Sequence, residues 1–191
     1  MVAARSPAVV EVPHASAPPT IDGEIEDPDW PGLAVRSGAF VDAHGAASHP
    51  YSDARFLWHA GALDLLLYAA DENVQTATDA FTVTLIAGAK RATFRVGPKG
   101  AIVDPHADAT SQALLTGARF GVDLDATLDA PDDDDEEWVV ESTIPLAPLG
   151  LVGAAGETLQ VAIERCDQPK SGPLICASFG SLAVPKLLRF R

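Results

Sequence analysis

The chain has 191 residues, 47% of them hydrophobic and 21% charged, enough apolar length to bury the core of one domain. Lysine and arginine number 13 against 27 aspartate and glutamate, a net charge of −14; such a surface repels phosphate backbones and anionic headgroups, which excludes nucleic acid as an expected partner. No apolar run reaches the roughly 18 to 20 residues of a bilayer span, so no membrane insertion is expected, and no basic segment followed by an apolar signal core opens the chain.

Residues 1–19, rich in Ala, Pro and Ser and running into "HASAPPT", hold no sustained period and read as a flexible leader or linker. The domain is expected over 20–191. "ARFLWHA" and "LDLLLYAAD" read as two strands joined at Gly61, the second apolar enough to be central. Phe81, Val83 and Leu85, then Ala92, Phe94 and Val96, then Leu159, Val161 and Ile163 alternate with polar residues at a period of two, the mark of half-buried strands. In "EEWVVESTIP" the same alternation points Trp138, Val140 and Ile144 inward and Glu141 to the other face. Only "PLAPLGLVG" suggests a short helical turn. The pattern predicts an all-β fold, a two-sheet antiparallel, jelly-roll-like sandwich with at most one or two helical turns.

Cys166 and Cys176 flank "DQPKSGPLI", whose prolines and glycine read as a turn between two short strands. A disulfide is the favoured reading and two buried free thiols the alternative; the disulfide implies an oxidising compartment. The expected location is therefore extracellular or periplasmic, with the targeting segment absent from this sequence.

Several short stretches, in order, carry a resemblance. "PTIDGEIEDPDW" holds Ile21, Asp22, Gly23 and Trp30; "LDLLLYAADENV" holds Leu67, Tyr68 and Asp71; "DAFTVTL" opens at Asp79; "EEWVVESTIPLAPLGL" holds Trp138, Glu141 and Pro145. Together they resemble the signatures of carbohydrate-binding module family 9 and related sugar-binding, DOMON-like domains, over residues 19 to roughly 180. The resemblance implies a β-sandwich without catalysis, binding of glycan at chain ends, and attachment to exported proteins. It implies a sugar clamped between two tryptophans; those positions fall here on Gln75, Thr76 and Ala77 and on Phe179. Phe179 as platform, with Gln75 and Asp71 as polar partners, is the expected ligand site. Trp30, Trp58 and Trp138 are expected in the core. The expected function is a non-catalytic, carbohydrate-binding-like module of an exported protein, its ligand either diverged or lost; protein partners are not identified.

Family members often bind structural calcium. Asp123, Asp125 and Asp129, followed by Asp132 to Asp135, supply hard oxygen ligands and are the candidate Ca2+ residues. An EF-hand loop opening at Asp123 fails, because Leu128 holds the glycine position and Asp134 replaces the closing glutamate. The other reading of the acid run is a solvated turn that guards the following apolar strand against edge pairing. His44 and His49 lie beside Asp42 and Tyr51 in a loop, a weaker transition-metal candidate. No catalytic motif is present: no G-x-S-x-G, no H-E-x-x-H and no phosphate-cradling glycine loop. Two rivals remain at this stage, a structural or adhesive sandwich without a small ligand and a haem-carrying electron-transfer sandwich. With Met1 the sole methionine, the latter would need His59 and His106 as axial ligands.

Overall fold

The computed structural model describes residues 9–191. The strands are β1 (Val9–Val12), β2 (Val35–Arg36), β3 (Ser52–His59), β4 (Ala62–Ala70), β5 (Ala80–Ala87), β6 (Lys90–Gly97), β7 (Gly100–Ile102), β8 (Arg119–Asp125), β9 (Glu137–Pro145), β10 (Thr158–Asp167), β11 (Ile175–Phe179) and β12 (Lys186–Phe190). One sheet runs β1-β12-β10-β5-β6-β7, with β11 also paired to β10; the other runs β2-β3-β4-β9-β8. All pairs are antiparallel except β1 on β12. The expected all-β sandwich is what forms.

The alternation sets the packing. Phe81, Val83 and Leu85 of β5, Phe94 and Val96 of β6, and Leu159, Val161 and Ile163 of β10 meet Leu63, Leu65 and Leu67 of β4 and Trp138, Val140 and Ile144 of β9 in one core between the sheets. All three tryptophans are buried, as expected. Trp138 stands edge-on to Phe81 at 5.1 Å between centroids, and Trp58 stacks on Phe190 at 5.5 Å.

The second face of the five-stranded sheet is covered too. Leu57, Leu66 and Val139 point away from the main core and pack with Ala15, Trp30, Ile21 and Ile25 in a smaller cluster. Residues 13–34 thus lie across β3, β4 and β9, and Glu141 latches them. Fully buried, its Oε2 accepts the backbone N–H groups of Asp22 (3.0 Å) and Gly23 (2.9 Å). Gly23 has φ +104° and a Cβ there would sit 2.4 Å from the Asp123 nitrogen, so only glycine passes. The "IDG" of the sequence is a crossing point of two segments, the other being Val122–Asp123, and Trp30 is its apolar anchor.

Two elements differ from expectation. The leader expected over 1–19 includes β1: Val9–Val12 pairs with Leu187–Phe190, with Val12 buried. Residues 1–8 lie outside the described residues. A four-residue run is too short to show a period, and β12 supplies the hydrogen bonds that make it a strand. The second is a nine-residue helix, α2 (Ala109–Gly117); the short α1 spans Asp29–Gly32. Asp108 caps α2, its carboxylate accepting from Thr110 N and Ser111 N, a start signal that "DATSQALLTG" did carry. The "PLAPLGLVG" turn is a single 3-10 turn at Ala147–Leu149.

Cys166 and Cys176 are disulfide-bonded and sit opposite one another in the β10–β11 ladder. Closing so short a loop contributes about 3 kcal/mol in the chain-entropy account.

Glu141→Ala should cost about 2 kcal/mol or more in urea unfolding, since it strands two backbone donors at the latch. Glu141→Gln, which retains an acceptor, should cost markedly less; equal losses would attribute the effect to packing instead.

Candidate functional site

With residues 13–34 over one sheet, the open sheet face belongs to the seven-stranded sheet. Its outward positions are the partners of the core alternation: Thr82, Thr84 and Ile86 on β5, Arg91, Thr93 and Arg95 on β6, Ala162 and Glu164 on β10, and Ser178 on β11. Cross-strand pairing sets Thr82 against Arg95, Thr84 against Thr93 and Ile86 against Arg91. The Thr84 and Thr93 hydroxyls are 3.0 Å apart and hydrogen-bonded.

Two clefts meet on this floor at Thr82. The larger, about 750 Å3, lies between Arg91, Thr93 and Arg95 and the wall formed by Val103–Asp108 and Ser111 of α2. The smaller, about 150 Å3, runs past Thr84 and Glu164 to Ser178, Ser181 and Leu182. The result is one groove across the sheet with an apolar tip on each side, Val103 at 81% exposure and Leu182 at 57%. The α2 wall is anchored: Ser111 Oγ accepts from Thr93 N (2.9 Å) and donates to Asp108 Oδ2 (2.7 Å). Ser111, first through its hydroxyl and then its N–H, holds the Asp108 carboxyl below the ordinary range. Asp104 accepts the His106 N–H at 2.8 Å.

The sequence-expected residues fall elsewhere and apart. Phe179 lies on the inner side of β11 at 8% exposure, stacked on Phe40 (6.3 Å) and packed on Phe56 (5.8 Å). It borders a cleft of about 420 Å3 with Ser37, Val41, Val184 and Lys186, whose ammonium stands 5.7 Å from the ring centroid. A ring so enclosed is core first, because the alternation along β11 turns Ala177 and Phe179 inward. Asp71 is buried at the end of β4, where its Oδ2 accepts from Trp138 Nε1 (3.1 Å) and Arg165 Nη2 (2.8 Å). Gln75 occupies the following loop, donating its N–H to Asp79 and its amide to Asn73 Oδ1. Asp71 and Gln75 share that loop region, and neither lines the Phe179 cleft.

Asp71, Asp79 and Asp167 bring carboxylate oxygens within 4.8 Å of one another, all buried. Arg165 Nη2 also donates to Asp167 Oδ1 at 2.7 Å, so one guanidinium bridges two acids with a third alongside. Burial, with Asp71 alongside and only partly offset by Arg165, pushes Asp167 up to about 7; burial also raises Asp79.

Calcium does not fit the residues present. Asp123 and Asp125 are exposed on β8, and Asp129 accepts the Thr76 N–H and hydroxyl and faces Lys99. These three form no converging set among the described residues. Asp71, Asp79 and Asp167 do converge, yet their oxygens already accept from Asn73 N, Trp138, Arg165, Gln75 N and Gln168 N. The 6 to 8 oxygens that calcium requires would displace those donors and meet a guanidinium. The acid run works instead as a clamp. Asp135 is buried and accepts Val74 N and Thr127 N, each at 2.7 Å; Asp134 pairs with Lys170; Glu137 accepts the Tyr68 hydroxyl. Among the described residues His44 and His49 join no group of three converging ligands. His59 bonds Asp64 at 2.6 Å in the five-stranded sheet while His106 lines the groove, so the two share no axial site.

Neither family models nor curated proteins match the chain. Solved structures do. A carbohydrate-binding module of family 9 from Caldicellulosiruptor kristjanssonii, in complex with cellotriose, superposes with a TM-score of 0.71 over 96% of this chain and 94% of that one, at 14% identity. The same kind of module in complex with glucose gives 0.68 over 96% of each, at 13% identity. The fold is that of a family 9 carbohydrate-binding module. At this identity the family 9 likeness speaks for architecture, and the residues of the site are this chain's own.

Two measurements follow. The Asp167 carboxyl is raised, so the folded state holds a proton that the unfolded chain gives up near pH 4; stability should fall as pH rises from about 4 to about 7. Asp167→Asn keeps an acceptor for Arg165 and should flatten that decline in a melting-temperature profile, whereas an unchanged profile would discard the assignment. Millimolar Ca2+ and chelator should give the same melting temperature; a clear upward shift with Ca2+ would overturn the poor fit.

Proposed function

We propose that the chain is a non-catalytic carbohydrate-binding module of an exported protein, with its glycan lying in the groove across the seven-stranded sheet. The observation that carries this is the groove: on a fold shared with family 9 modules in complex with glucose and cellotriose, it sets threonine and serine hydroxyls and two guanidinium groups between two apolar loop tips. That mixture suits a sugar, whose hydroxyls need donors and acceptors and whose C–H faces need apolar contact. The tips are aliphatic, Val103 and Leu182, so the ligand is held chiefly by hydrogen bonds and differs from one clamped between tryptophans. Absence of catalysis is supported by the acids of the larger cleft, since Asp104 and Asp108 are committed to backbone N–H groups of their own loop and helix. Export is supported by the disulfide, which persists in oxidising compartments.

Affinity electrophoresis against a panel of soluble polysaccharides tests the reading. Thr82→Tyr, which fills the point where the two clefts meet, should abolish retention while leaving the thermal melt native-like. Lys186→Ala, in the cleft beside Phe179, should leave retention intact. The reverse outcome moves the ligand to the Phe179 cleft, and no retention of the wild type by any polysaccharide would favour a structural or adhesive module.

A further inference from the structure

We infer that the groove selects acidic saccharides, taking a sugar carboxylate at Arg91 and another at Arg95; this rests on the carbohydrate-binding reading above. In a chain with 27 acidic residues, neither arginine is within an ion pair among the described residues, as Arg119 and Arg191 also are not and Arg36, Arg55, Arg165 and Arg189 are; what sets Arg91 and Arg95 apart is their place in one cleft. Both are exposed and both line the larger cleft. A guanidinium presents a rigid fork of donors matched to the two oxygens of a carboxylate, a geometry that neutral hydroxyls do not fill.

Their spacing narrows the ligand. Arg91 and Arg95 stand on one side of β6 with Thr93 between them, about 13 Å apart at roughly 3.3 Å per residue. That exceeds one pyranose ring, so the two forks read charges on separate units of a chain, and Thr93 and Thr82 meet the hydroxyls between. Among the described residues the neighbouring acids of the cleft form no ion pair with either arginine, their oxygens being turned to donors of their own loop and helix. Asp104 accepts from His106 N, and Asp108 is taken by Thr110 N, Ser111 N and the Ser111 hydroxyl. Glu164 lies in the smaller cleft, where it repels acid and turns the charged units toward β6.

The overall charge makes the test sharp. At −14 the surface as a whole repels a polyanion, so retention by one reports a local site and not general attraction. Affinity electrophoresis and calorimetry with the full chain use three probes: sodium polygalacturonate, the same backbone fully methyl-esterified, and dextran sulfate. Binding to polygalacturonate is expected, with at least about tenfold weaker binding to the ester, and a loss of at least about tenfold for each of Arg91→Gln and Arg95→Gln. Arg95→Lys, which keeps the charge but not the fork, should fall between. Stronger binding to dextran sulfate than to polygalacturonate, lost in the arginine variants, would replace the carboxylate with sulfate as the recognised group and overturn the uronate assignment. Equal binding of ester and acid, unaffected by the arginine changes, would overturn the selectivity while leaving the carbohydrate reading intact. Failure of every glycan, neutral or acidic, would remove both.

Discussion

The central constraint is that three strands of the smaller sheet are apolar on both faces. β3, β4 and β9 send one set of side chains into the sandwich and a second set, Leu57, Leu66 and Val139, outward. Strands of that kind need cover on each side. Residues 13–34 provide it, pinned by a buried carboxylate at Glu141 and passing through the contact that Gly23 permits. Burial pushes the Glu141 carboxyl upward even against the donors of Gly23 and Asp22, so the latch is an expensive one to build and a specific one. Its effect reaches the other side of the molecule: with one sheet sealed, surface chemistry concentrates on the other.

A second polar assembly fixes the rim where β4 and β10 end and β9 begins. Arg165 reaches Ser52 Oγ, the Ala70 carbonyl, Asp71 and Asp167, tying three segments together inside the protein. A buried ion cluster of this sort contributes little net stability compared with apolar packing, and its value lies in admitting one arrangement of the joined segments. The Asp135 carboxylate does similar work between the loops at Val74 and Thr127. Both assemblies hold the loop end of the sandwich still without entering the groove.

Alternation made most of the architecture legible: the inward triads of β5, β6 and β10, and the inward turn of Trp138, Val140 and Ile144, stand where a period of two puts them. The same rule, carried through β11, places Phe179 inside opposite Ile163, and the family pattern obscured that. The groove was hidden for a different reason. Its floor is made of every second residue on neighbouring strands, so Thr82 and Arg95 become a unit only through the register of β5 on β6, and no linear motif records a register. The acid run was hard to read because composition shows charge and not direction: Asp135 points in, Asp134 points out, and the difference is decided by the backbone donors of Val74 and Thr127, the first of them 61 positions away in sequence.

The disulfide sits on the groove side of its sheet, joining β10 to β11. β11 carries Ser178 and leads into Gly180–Leu182, which form one bank of the groove. A covalent tie at that position restricts the bank, so part of the entropy of ordering it is settled during folding. In the thiol form the bank would hang on the β10–β11 ladder alone.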